Sequence, residues 1–166
     1  SAIPFKLSGD QLKAVSQIRT HMQEDRPMNH LLLGDVGTGK TMVAAFACAL
    51  CADSGTQAIM MAPTEVLARQ YATSLGPLFD EAGITWSLLT GSVGGQERDD
   101  VLSRLASGHT DVVFGTHALL EDDVKLARCT LAIIDEQQRF GVKQREKLLS
   151  KGHCVDVLSM AATPIP

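Results

Sequence analysis

The stretch Gly34-Asp35-Val36-Gly37-Thr38-Gly39-Lys40-Thr41 constrains this chain more than any other. An apolar run, Leu31-Leu32-Leu33, precedes it, and the almost wholly apolar segment 42–52, rich in good helix formers, follows it. Strand, glycine-rich loop and helix in that order are the setting of a phosphate-binding loop. Gly37 and Gly39 let the backbone curl so that successive N–H groups point inward at the start of the next helix, where partial positive charge can receive a polyphosphate. The cradle falls to Gly34, Gly37, Thr38 and Gly39, with Lys40 reaching the β- and γ-phosphates and the Thr41 hydroxyl ligating Mg²⁺. The bland alternative is a strand-to-helix turn that binds nothing; the complete pattern and its flanks argue against it.

From residue 30 onward the sequence alternates strand and helix. Apolar runs predict strands over 57–62, 84–89, 111–114, 131–134 and 155–160. Between them lie helical patterns over 66–79, 96–107 and 143–150, and upstream another in which Leu12, Val15, Ile18 and Met22 form one apolar stripe. Near-continuous apolar strands alternating with helices call for an α/β fold, a mostly parallel sheet covered by helices on both faces. Ligands bind such sheets beyond the carboxyl ends of the strands. The polar clusters fall there: Pro63-Thr64-Glu65, Thr90-Gly91-Ser92, Gly115-Thr116-His117, Asp135-Glu136-Gln137-Gln138 and Ala161-Ala162-Thr163.

These clusters suggest chemistry. An acid at the end of a buried strand beside a phosphate loop, here Asp135, is where Mg²⁺ would be held through water, and Glu136 could orient and deprotonate an attacking water. Gln11, near the start of the first helical pattern, carries an amide that can read both edges of adenine. Thr64, Thr90, Ser92 and Thr116 stand at or near expected helix starts, where hydroxyls and N–H groups can take nucleic-acid phosphates, and Arg69 could add a charge. For each loop taken singly, helix capping is the simpler role; their recurrence at one edge of the sheet is what raises nucleic acid.

Composition narrows the alternatives. The chain has 166 residues, enough for one domain core, and its hydrophobic content of 45% with only 4% aromatic residues implies a core of aliphatics and alanine. A formal charge of −4 argues against a broad basic surface, while leaving local phosphate contacts open. No apolar run reaches the roughly 20 residues that span a bilayer, so no membrane partner is expected, and no signal peptide is visible. Cys48 and Cys51 form Cys-x-x-Cys inside an expected helix, and Cys129 and Cys154 supply no second close pair, so buried free thiols are a better reading than a zinc or redox site. The sequence stops soon after its last strand at Thr163-Pro164-Ile165-Pro166, as if within a longer protein.

In this order, GDVGTGKT, APTEVLARQ, LTGS, GTHAL, IIDEQQRFGVKQR and ATPIP resemble the first RecA-like motor domain of superfamily 2 DNA helicases, most closely the RecG type, with the transcription-repair coupling translocase a near relative. The resemblance runs from Phe5 to Pro166 and implies one P-loop NTPase domain over 1–166. It implies a bacterial cytoplasmic motor that uses ATP and Mg²⁺ to translocate on double-stranded DNA and remodel branched DNA at stalled forks and Holliday junctions. By motif match, Gly37, Gly39, Lys40 and Thr41 would bind phosphate and Mg²⁺, Gln11 adenine, and Asp135 and Glu136 metal and water. Thr64, Thr90, Ser92, Thr116 and His117 would face DNA, and Thr163 would couple nucleotide state to DNA. Gln138 stands where the family usually has histidine, and Ala161 where it usually has a hydroxyl. The family's wedge domain and second RecA-like domain, whose arginines complete the ATP site, do not fit in this chain, so weak turnover is expected of it alone. A nucleotide-binding module without catalysis and a small-molecule P-loop kinase are the competing readings. The intact Lys40, Asp135 and Glu136 speak against the first for the whole protein, and the run of hydroxyl-rich loops is unexplained by the second.

Overall fold

Strands form where the apolar runs lie, and burial on both sides explains why those runs are nearly continuous. A computed structural model describes residues 29–34, 38–135 and 141–162. Its elements are β1 (Asn29–Gly34), α1 (Thr38–Asp53), β2 (Gln57–Met61), α2 (Glu65–Glu81), β3 (Trp86–Leu89), α3 (Gly95–Ser107), β4 (Val112–Gly115), a 3₁₀ turn (His117–Leu120), β5 (Cys129–Asp135), α4 (Val142–Leu149) and β6 (Asp156–Ala162). The expected helix carrying Gln11 lies outside the described residues, as do Gly37, Glu136, Gln138 and Thr163.

The strands make one six-stranded sheet in the order β1-β6-β5-β2-β4-β3, every pairing parallel. The chain steps outward from β1 to β2 to β3, then returns through β4 and β5 to β6. Crossovers of one hand must put helices on opposite faces when the direction of travel reverses. That is what is seen. One core cluster holds the buried side of α1 and α2, with Ala58, Met60, Val112, Phe114, Leu131, Ile133, Leu158 and Met160 from the strands. The other holds Val101 and Leu105 of α3 and Leu148 of α4, with Ile59, Met61, Val113, Ala132, Ile134 and Val157. Neighbouring strand residues alternate between the clusters, as the two-residue period of a strand requires.

α1 is buried on most of its circumference, including Val43, Ala44, Ala45, Ala47, Cys48, Ala49 and Cys51. Its small residues let the backbone come close to β1, β2 and β5. Burial pushes the Cys48 thiol well above its ordinary value and that of Cys51 up to about 11, so both are inert packing groups rather than thiolates. Cys129 is buried too; Cys154 departs from the expectation and is exposed. α2 runs through Pro77 without ending. Pro77 and Thr73 are both exposed, so the carbonyl deprived of its helical donor can turn to water. Gly76 is required nearby: a Cβ there would lie 2.6 Å from the Trp86 ring, which packs edge-on to Phe114.

β3 begins at Trp86, two residues later than the apolar run suggested. Thr85 turns instead to Asp111, whose carboxylate accepts from the Thr85 N–H (3.0 Å) and hydroxyl (3.1 Å). The 3₁₀ turn after β4 carries no periodic signal and was not anticipated; Thr116 caps it.

Candidate functional site

Because all strands run the same way, all their carboxyl ends lie on one edge. Sheet order sorts the loops along that edge. The end of β1 at Gly34, the end of β6 and Asp135 at the end of β5 occupy one half. The loops after β2, β4 and β3, carrying Thr64, Thr116 and Thr90, occupy the other. The sequence order of the motifs does not reveal this grouping, since β5 and β6 come last in the chain yet sit beside β1.

In the first half, Gly34 ends β1 opposite Ala162, and Asp135 ends β5 opposite Met160. Only β6 separates the two strands, a gap of roughly 10 Å at the usual strand spacing. Lys40 and Thr41 lie in the first turn of α1, both half-buried. That turn contains no acidic residue, so nothing on it repels an anion. A hydroxyl and a carboxylate are hard oxygen donors of the kind Mg²⁺ takes, and Mg²⁺ is commonly held by one or two carboxylates with substrate phosphates rather than by an all-protein cage. Among the described residues no cluster of three or more His, Cys, Asp or Glu side chains could hold a metal by itself. Thr41 and Asp135 therefore fit Mg²⁺ delivered with a polyphosphate.

Asp135 has a partner that the sequence did not announce. The Tyr71 hydroxyl of α2 donates to Asp135 Oδ2 at 2.8 Å. Burial, then the bond to Asp135, holds the Tyr71 phenol above its ordinary value, so it stays a donor. The Tyr71 ring packs against the core; only its terminal oxygen carries the second role.

In the second half the hydroxyls are already engaged. Thr64 Oγ1 accepts from the Leu67 N–H at 3.2 Å and caps α2. Thr116 Oγ1 accepts from the Ala118 N–H at 3.4 Å. A capping hydroxyl keeps its own proton and can still donate it to a phosphate. Glu65 gathers the rest: its Oε1 accepts from Thr90 at 2.6 Å, from Arg69 at 3.2 Å, and from Ser92. Those bonds, Ser92 first and Thr90 second, hold its carboxyl below the ordinary glutamate value. Glu65 was part of the Pro-Thr-Glu motif but was not singled out; an acid three to four residues before an arginine on a helix is the signal that could have found it.

Thr90 departs from the expectation of a DNA-facing hydroxyl. It is only 1% exposed, lying beneath Glu65 and giving that carboxylate its proton. Ser92, Arg69, Thr64 and His117 are exposed. Gly115, at the end of β4, has no room for a side chain, since a Cβ there would strike the Leu89 carbonyl and the Leu119 side chain. That contact packs the loops after β3 and β4 together. Behind them, Arg98 of α3 donates to Asp123 at 2.8 and 2.9 Å and to Glu121 at 2.7 Å, tying the chain after the 3₁₀ turn to α3.

A family model described as DEAD/DEAH box helicase matches residues 8–166. The chain is 48% identical over 165 residues to the ATP-dependent DNA helicase RecG of Bacillus subtilis, covering 99% of this chain and 24% of the relative. It is 49% identical over 165 residues to the protein of the same name from Streptococcus pneumoniae, with the same coverage. Among solved structures, that of RecG bound to a three-way DNA junction superposes with a TM-score of 0.85 at 44% identity, over 98% of this chain and 22% of that one. The chain thus spans about a quarter of the length of the curated relatives it matches. No helix among the described residues is long and apolar enough to cross a membrane.

Proposed function

The chain belongs to the DEAD/DEAH box helicase family, and from that premise we propose that it is the ATP-binding motor domain of a RecG-like DNA helicase. The whole protein would couple ATP hydrolysis to translocation on duplex DNA and remodel branched DNA in the bacterial cytoplasm. The observation that carries this is the edge of the sheet: only β6 lies between β1, which the GDVGTGKT sequence follows, and β5 with Asp135, and the ends of β2, β4 and β3 continue along the same edge.

The residues divide the work. The backbone of Gly34, Gly37, Thr38 and Gly39 cradles the phosphates, Lys40 neutralises the β- and γ-phosphates, and Gln11 reads adenine. Thr41 and, through water, Asp135 would hold Mg²⁺, which would supply positive charge against the charge that develops on the phosphates. Glu136 orients the attacking water and takes its proton. Gln138 and Thr163 relay nucleotide state across the cleft by hydrogen bonds; Gln138 cannot carry a proton as a histidine would. Thr64, Arg69, Ser92, Thr116 and His117 meet DNA phosphates, with Thr90 supporting them from beneath. A second RecA-like domain and a wedge domain in the same protein would supply the missing arginines and the junction contacts. The similarity to proteins named RecG favours this reading over a coupling translocase, and Lys40 with Asp135 favours it over a non-catalytic module.

The test is Mg²⁺-dependent ATP turnover with and without a synthetic fork, by this chain and by the protein with both further domains. Fork-stimulated turnover is expected only of the longer protein, because a missing arginine finger costs ~10³–10⁵ in rate. Absence of turnover in the longer protein would overturn the motor reading.

A further inference from the structure

Helix α2 packs over β4 and β3 in the DNA-side half of the sheet, yet one of its side chains reaches back past β2 to the end of β5. The Tyr71 hydroxyl meets Asp135 Oδ2 at 2.8 Å across 64 residues of sequence. Resting on the reading above, we infer that Tyr71 is a positioning residue for the metal site: its hydroxyl fixes the rotation of the Asp135 carboxylate, and so which oxygen faces Mg²⁺ and its water.

Three features support this. The torsion that turns a carboxylate about its last bond is broad and two-fold, so an aspartate at a strand end is poorly oriented by its own backbone. A hydrogen bond to one oxygen removes that freedom. Next, the Tyr71 ring is held against the core cluster shared by α1, α2 and the sheet, so its hydroxyl is a fixed donor rather than a mobile one. Finally, phenylalanine would supply the same packing. The hydroxyl adds nothing to the core and, half-buried as it is, needs a partner; the partner it has is Asp135, the last residue of β5. Groups that orient metal ligands from behind in this way typically govern metal affinity by 10–100-fold.

The experiment titrates Mn²⁺, a paramagnetic stand-in for Mg²⁺, into the ADP complex of this chain and follows it by electron paramagnetic resonance. Tyr71→Phe is expected to weaken Mn²⁺ by about tenfold, with the affinity for metal-free ADP unchanged within twofold and a cooperative thermal transition retained. In the Asp135→Asn background the same change should cost nothing further, because the bond it removes is already altered. Equal losses in both backgrounds would mean general loosening of α2 and would overturn the role. So would an unchanged Mn²⁺ affinity in Tyr71→Phe when the wild-type chain binds ADP normally. Failure of the wild-type chain to bind ADP at all would instead overturn the motor-domain reading and this inference with it.

Discussion

Two helix N-termini, those of α1 and α2, face the same edge of the sheet and have opposite chemistry. The first turn of α1 has a lysine and no acid. The first turn of α2 has Thr64 as its cap and Glu65 as its acid. A helix start leaves N–H groups without partners and carries partial positive charge. At α1 no acidic residue occupies that turn, and on the reading proposed above its N–H groups would receive a phosphate. At α2 the protein satisfies them itself, and Glu65 also collects Ser92, Thr90 and Arg69. The lesson is that a helix start becomes an anion site only where its own sequence declines to fill it. The second half of the edge is thus a self-occupied surface, and on the proposed reading a DNA phosphate arriving there would compete with the Glu65 carboxylate.

The largest way to break this contrast is Lys40→Ala. Charge-assisted hydrogen bonds of this kind are worth about 1.5–3 kcal/mol, so nucleotide affinity should fall about tenfold to a hundredfold in a fluorescent-ADP titration, with little change in thermal midpoint. An equal loss of folding stability would mean that the loop and α1 hold each other without ligand. Next comes Thr64→Ala, which removes a cap from α2. It should lower unfolding free energy by about 1 kcal/mol, read by urea denaturation, and leave ADP binding intact. A neutral result would show that water replaces the cap at no cost.

The smallest and sharpest is Glu65→Gln. With one negative charge fewer and a weaker acceptor facing Ser92 and Arg69, duplex DNA should bind the intact protein a few-fold more tightly at low salt, the gain shrinking as salt rises. Weaker binding would mean that Glu65 holds the donors in their productive arrangement. The same variant has a pH signature. The Glu65 carboxyl is held below its ordinary value by Ser92, Thr90 and Arg69, so its ionised form favours the folded state. That contribution is complete above the ordinary value near 4.5 and disappears as pH falls through the lower folded-state value. Thermal midpoints of the wild type should therefore drop more steeply with acid below that point than those of Glu65→Gln.

Much of the fold was legible in the sequence because its signals are local. Residues 57–61 read as a strand and are one, since a core on both faces demands an unbroken apolar run. The helix after β1 follows the glycine-rich sequence, and α2 and α3 keep within two residues of their expected ends, α2 starting one residue early at Glu65 and finishing two late at Glu81. The start of β3 was misjudged because the Thr85 N–H and hydroxyl go to the Asp111 carboxylate, leaving only its carbonyl to the backbone entering β4. The 3₁₀ turn escaped because four residues hold too little periodicity to read. The positions of Lys40 and Thr41 at a helix start and of Asp135 at a strand end were legible from spacing and context. The burial of Thr90, the gathering role of Glu65 and the second role of Tyr71 were not, since each depends on what a neighbouring loop or strand brings near.

By itself the sequence determined the strand and helix units and the placement of polar clusters after strands, because each follows from residues within a few positions of one another. The order β1-β6-β5-β2-β4-β3 was decided only in three dimensions. That order puts the last strands of the chain beside the first, divides the edge into two halves, and brings Tyr71 to Asp135. No short-range pattern encodes it, because strand order minimises the exposed apolar surface of the whole sheet and its helices at once.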